Sequence, residues 1–249
     1  MELQLLIAGG IIASASLIGV VTTHALLGKF FTNNIRYLIS FATGVFIVLT
    51  YTLLEEVFHE GDMLYTSLAI AIGFLFFAGL TTFLSKAHHH HGPTQEHSHS
   101  SIDARRMLLG DSLHNIGDGI LLVPLFIASP VLGGAAIVGI LIHEMVQEIA
   151  EFFVLKEAGY STRMALFFNF LTALTIFIGI GIGLLVTDIE GVVIPLLAFT
   201  AGGFLHIILR DFIPSIFKSI HHECKPVPHI IFFVAGLILM ILVTSGHGH

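Results

Sequence analysis

The sequence predicts an all-α, polytopic membrane protein: eight transmembrane helices in a compact bundle, both termini extracytoplasmic. Three observations predict it. The 249 residues are 55% apolar and 11% charged, with a mean hydropathy of +0.94, whereas an average soluble domain is about 25% charged. Apolar stretches of roughly 17 to 25 residues, the length that crosses a hydrocarbon core of about 30 Å as helix, recur along the whole chain. All ten Lys and Arg fall in, or at the edges of, alternate connections between those stretches.

Taken in order, the first span lies near residues 3–27. It is too long for a signal-peptide core and lacks a basic leading region or a small-residue cleavage site, so the N-terminus is expected to be the mature one. The second, near 34–54, begins at the Asn33-Asn34 pair, which reads as a turn, and the third lies near 63–84. Spans near 107–128 and 131–155 meet at Ser129-Pro130, two residues that break one helix and start the next. The sixth and seventh lie near 164–186 and 192–213, and Pro226 to Pro228 precede the eighth, near 229–245. Helix is expected throughout, because in lipid every backbone N–H and C=O needs a partner within its own segment. Residues 1–249 thus read as a single transmembrane domain.

The basic residues orient the bundle. Lys29 and Arg36 follow the first span, Lys86, Arg105 and Arg106 the third, and Lys156 and Arg163 the fifth; Arg210, Lys218 and Lys225 lie at or beyond the end of the seventh. By the positive-inside rule these connections are cytoplasmic, and a plasma or inner membrane is the expected location. The opposite face carries Glu2, Glu55, Glu56, Glu60, Asp62, Asp188 and Glu190. These acids form either solvated loops or a vestibule that concentrates cations. The scattered basic residues form no stripe, so no nucleic acid is expected as partner, and the one cysteine, Cys224, excludes an intrachain disulfide. The expected partners are the lipid bilayer and divalent metal ions, with a homodimer left open.

The one long connection, 86–106, holds His88, His89, His90, His91, His97 and His99 in a Gly-, Ser- and Pro-containing segment with no apolar period. Such a segment is expected to be disordered. Its mid-chain place and the second His-Ser-His argue against an affinity tag. Neutral imidazole binds borderline transition metals, so a loose, metal-collecting loop is the expectation.

Charged side chains at the centre of a membrane helix cost about 2.5 to 3.5 kcal/mol each, so ionisable residues there point to function. Two spans concentrate them. The fourth carries Asp111, His114, Asn115 and Asp118, which at 100° per residue fall within an arc of about 100°. The fifth carries His143, Glu144, Gln147, Glu148 and Glu151, within about 140° by the same arithmetic. Facing stripes of imidazole and carboxylate suit a divalent cation shedding its water. A polar network that merely ties the bundle together is the alternative. The run His143-Glu144 also opens the zinc-protease helix pattern, in which a second His follows at i+4 and the Glu is general base. Here Gln147 stands in that place, and a neutral amide is a weak zinc ligand. An intramembrane protease, or a metal-sensing protein that does not transport, therefore stays open beside a transporter.

Several segments resemble the ZIP (Zrt-, Irt-like protein) divalent metal transporters. GDSLHNIGDG, 110–119, is similar to the family's fourth-helix signature, and HEMVQEIAEF, 143–152, resembles the fifth-helix pattern HExPHExGDF of one large subfamily. ALFFNFLTAL at 165–174, FTAGGFLHIILRDFIPSI at 199–216 and SFATGVFIVLTYTLLEE at 40–56 are similar to the sixth, seventh and second helices. The resemblance implies a transporter rather than an enzyme, with a two-metal site midway across the membrane. It implies His114, Asp118, His143 and Gln147 at one position, and Asn115, Glu144 and Asn169 at the other, with Asp118 shared. Glu148 counts with these ligands, while Asp111, Glu151 and His206 are expected along the pathway or behind the ligands. Val146 for Pro, Gln147 for His, Ala150 for Gly and Glu151 for Asp depart from the pattern, and the change at 147 implies one well-formed position and a weaker second. Zn²⁺ is the expected cargo, with Fe²⁺, Mn²⁺, Co²⁺ and Cd²⁺ also compatible with His and carboxylate; no organic cofactor is expected.

Overall fold

The computed structural model describes residues 1–23, 25–85, 100–223 and 225–245, and every regular element among them is helical. The six loop histidines, 88–91, 97 and 99, lie outside these residues. The helices are α1 (Glu2–Ala13), α2 (Ile18–Thr23), α3 (Ala25–Glu60), α4 (Met63–Ser85), α5 (Ser100–Ala128), α6 (Pro130–Glu157), α7 (Thr162–Ala173), α8 (Ile176–Thr187), α9 (Val193–Ile207), α10 (Ile213–Glu223) and α11 (Pro226–Ser245). They compose eight rods, because α1–α2, α7–α8 and α9–α10 are each one span with an internal irregularity.

Each irregularity has a local cause. A 3₁₀ turn over Ser14–Leu17 separates α1 from α2, where the Ser14 and Ser16 hydroxyls donate back to the Ile11 and Ala13 carbonyls. Such back-bonding competes with the helix ladder. Between α7 and α8 the Thr172 hydroxyl does the same to the Asn169 carbonyl. Between α9 and α10 the chain widens into a π-helical segment, Ile208–Phe212, a form that concentrates at functional places in helices.

Seven of the eight rods are long and apolar enough to cross a membrane. The exception is α5, whose centre carries the polar stripe. The Asn33-Asn34 pair, expected to turn, instead lies inside the 36-residue α3. Asn costs a helix only about 0.7 kcal/mol relative to Ala, less than leaving backbone groups without partners near lipid. The Ser129-Pro130 break forms as expected: Ser129 caps α6 by accepting from the Val131 N–H at 3.2 Å, with Pro130 in the first turn. α6 ends at Gly159, whose φ of +90° suits glycine.

Three helix pairs cross at mutual glycines. A Cβ on Gly44 would strike the Phe233 carbonyl and one on Gly236 the Phe41 carbonyl, joining α3 to α11. Gly73 and Gly202 stand likewise between α4 and α9, and Gly119 and Gly179 between α5 and α8. Small residues let helix backbones approach in lipid, where no hydrophobic force drives them together. α3, α5, α6 and α9 meet around a core of Phe46, Leu49, Leu121, Phe77 and Phe204, which brings the two polar stripes face to face.

Candidate metal centre

His143 is the fourteenth of the 28 residues of α6, and His114 the fifteenth of the 29 of α5. At 1.5 Å per residue, about 20 Å of helix lies to either side of each. The two helices are joined only through Ser129 and turn back on one another, so their midpoints coincide. There His114 Nε2 lies 3.1 Å from His143 Nε2, 3.5 Å from Glu144 Oε1 and 4.0 Å from Asp118 Oδ1. Two ring nitrogens so placed can share one proton or one cation.

One helical turn toward the C-terminus of α6, a second group brings together carboxylate oxygens of Asp111, Glu144 and Glu148. In each group, His114/His143/Glu144 and Asp111/Glu144/Glu148, the candidate ligand atoms lie within 4.8 Å of one another. Ligand–metal bonds of about 2.0 to 2.4 Å require that compactness. Glu144 is common to both groups, whereas the family resemblance implied Asp118 as the shared residue.

Gln147 turns its amide nitrogen to carboxylates. It donates to Asp111 Oδ1 at 2.9 Å and to Glu151 Oε1 at 3.2 Å. Asn115 donates to the same Asp111 oxygen at 2.9 Å. Asn169, on α7, donates to the Glu148 backbone carbonyl at 3.1 Å, and Thr175, just beyond α7, donates to the Ser112 carbonyl of α5 at 2.8 Å. The break in the sixth span thus fastens it beside the cluster.

Nine oxygens of the cluster are buried with no hydrogen-bond donor: one each on Asp111, Asn115, Glu144, Glu151 and Asn169, and both on Asp118 and Glu148. Asp111, Asn115, Asp118, Glu148 and Asn169 are wholly buried. Buried acceptors without donors are costly, so this arrangement is stable when protons or a cation sit among them.

Aromatic rings close one side. Phe212 meets the His143 ring at 5.6 Å and Phe77 the His114 ring at 6.1 Å; Phe46 stands edge-on to Phe204 and Phe212 at 4.7 and 5.4 Å. The Phe46 ring sits on Gly139, one turn before His143, where a Cβ would overlap it. Toward the C-terminal half of α6 the opposite holds. A cavity of about 300 Å³ opens there, lined by His114, His143, Gln147, Arg210, Asp211 and Ser215 among others. Arg210 and Asp211 come from the π-helical segment. Asp211 had gone unremarked in the sequence, although an acid inside an apolar run is a readable signal. His206, expected on the pathway, is buried edge-on to Phe74 at 5.4 Å and does not line this cavity.

The family described as ZIP Zinc transporter matches residues 89–244, more than half of the chain. Zinc transporter zipt-7.2 of Caenorhabditis elegans is 31% identical over 141 residues, covering 55% of this chain and 30% of the worm protein. Metal cation symporter ZIP14 of Bos taurus is 32% identical over 148 residues, 56% of this chain and 30% of its own length. Zinc transporter ZIP4 of Homo sapiens is 36% identical over 110 residues, 44% of this chain and 17% of its own. This chain therefore spans about a third or less of the length of these relatives. The matched residues contain both polar stripes, and the chain is a multi-pass integral membrane protein that belongs to the ZIP zinc transporter family.

Proposed function

We propose that this chain carries divalent transition metal ions, zinc first, across the membrane through the cluster between α5 and α6. The observation that carries the proposal is the pairing of His114, His143 and Glu144 at the midpoints of two helices, surrounded by oxygens that have no donor. Imidazole and carboxylate suit Zn²⁺, and the same donors take Fe²⁺, Mn²⁺, Co²⁺ and Cd²⁺, because selection among these follows geometry and availability. His114, Asn115, Asp118, His143, Glu144, Glu148 and Asn169 hold the ion in this reading. Gln147, Asp111 and Glu151 shape the pocket around them.

The direction is toward the cytoplasm. Support comes from the sequence pattern, in which all ten basic residues fall in or at the edges of the connections after the first, third, fifth and seventh spans while the acids gather at the other ends. In that orientation the Phe46–Phe212 layer closes the outer side while the 300 Å³ cavity opens inward, an inward-facing state of an alternating-access cycle. The loop histidines collect the released ion in the same proposal.

The test is uptake. Folded protein in liposomes should accumulate zinc, read by an internal fluorescent chelator, and His143→Ala and Asp118→Ala should each reduce the rate at least tenfold. Absence of uptake of every divalent metal by well-folded wild-type protein would overturn the proposal.

A further inference from the structure

Arg210 is out of place in a path for cations. It stands near the middle of the rod Val193–Glu223, within the π-helical segment Ile208–Phe212, and it lines the same cavity as His114, His143 and Gln147. A guanidinium stays protonated in proteins, and an ionisable residue inside a span points to function. Among the described residues no ion pair includes it, not even one with Asp211, its neighbour in the chain.

The π-helical segment explains how this charge comes to face the cavity. Its wider turn rotates successive residues less than an α-turn does, and three in a row, Arg210, Asp211 and Phe212, line one wall. They are graded in depth. Phe212 is buried and meets the His143 ring at 5.6 Å, Asp211 is half-buried, and Arg210 is exposed. From the histidines outward the order is therefore ring, acid, fixed positive charge.

We propose that Arg210 promotes release: its guanidinium, at the mouth of the cavity, lowers the affinity of the centre for any divalent cation while the centre is open to that side. The inference rests on the cluster being a transporting metal centre. It adds what keeps buried, donor-free oxygens from holding their cargo, since such a cluster taken alone favours retention. At about 8 Å from a unit charge, in surroundings as polar as water, a divalent ion is disfavoured about fivefold, and more where the dielectric is lower. The repulsion acts on charge and not on ligand chemistry, so Zn²⁺ and Cd²⁺ feel it equally. It needs no contact between guanidinium and ion, and salt that enters the cavity screens it.

The experiment measures Zn²⁺ and Cd²⁺ affinity of the purified full chain in an uncharged detergent, by competition with a chromophoric chelator at low and at high sodium nitrate. Arg210→Gln should tighten both metals about fivefold at low salt and less than about twofold at high salt. Arg210→Lys, which keeps the charge, should stay within about twofold of wild type. Because the expected change is a gain, a variant that folds poorly cannot imitate it. Affinity in Arg210→Gln that is unchanged or weaker, that rises for one metal only, or that rises equally in both salts would overturn the inference. Zinc uptake by wild-type liposomes reports on the transport reading separately: uptake with unchanged affinity in Arg210→Gln sinks only the role of Arg210, and a salt-dependent gain without uptake by wild type sinks only transport.

Discussion

The two faces of α5 obey opposite rules. Toward α8 it is backbone against backbone: Gly119 and Gly179 touch so closely that a methyl on either would enter a carbonyl of the other helix, and the Thr175 hydroxyl satisfies the Ser112 carbonyl. Toward α6 it presents His114, Asn115 and Asp118 to a layer of acids, with buried acceptors left over. One face is saturated and admits nothing. The other has buried oxygens left without donors, and a cation among them would complete it. A transporter needs both, because a binding face short of partners is tolerable only when the rest of the bundle is held by contacts that do not depend on the cargo.

The largest effect is expected at the glycine crossing of α5 and α8. Gly179→Leu should destabilise the bundle by about 3 kcal/mol or more, since the obstacle is backbone and cannot move aside. Size-exclusion profiles and thermal melts in detergent would show it, while Gly181→Ala, whose Cβ would meet nothing within 4 Å, should leave both unchanged. On the other face the sign should invert. Asp118→Asn removes a buried charge with two unpaired oxygens, so the metal-free protein should melt a few degrees higher. The same variant should lose the zinc-dependent stabilisation, which for wild type at a hundredfold excess over Kd is about 2.7 kcal/mol.

Gln147→His sharpens the contrast within the binding face. It places a nitrogen ligand beside the histidines and removes the amide donor to the Asp111 carboxylate, so zinc affinity should rise severalfold. Equal affinities in the variant and wild type would place 147 outside the centre. The smallest effect belongs to Thr175→Val, which deletes the hydroxyl bridge to Ser112. About 1 kcal/mol should be lost, as for one hydrogen bond, with zinc uptake preserved.

Much of the fold was legible because lipid simplifies the code. Apolar stretches of spanning length can only be helices, and Ser129-Pro130 marked its boundary for a reason that is local. Asn33-Asn34 misled because the same pair is tolerated inside a helix once the alternative is a bare backbone. The polar stripes on α5 and α6 were visible as helical periodicity. Their partners were not: that Phe46 lies on Gly139, and that Asp211 faces the His114–His143 cavity from a π-helical turn, depends on residues about a hundred positions apart. The histidines at 88–91, 97 and 99 remain an expectation of sequence.

By itself the sequence determined that this is a helical membrane protein with imidazole and carboxylate at its centre, since composition, span length and a 100° repeat are properties of single segments. It determined family membership through the same two segments. Only the tertiary structure decided how those side chains divide. Gln147 reads in the sequence as a ligand weakened, but in the fold its amide points its hydrogens at Asp111 and Glu151, because a group that is both donor and acceptor takes its role from whichever neighbours the packing supplies.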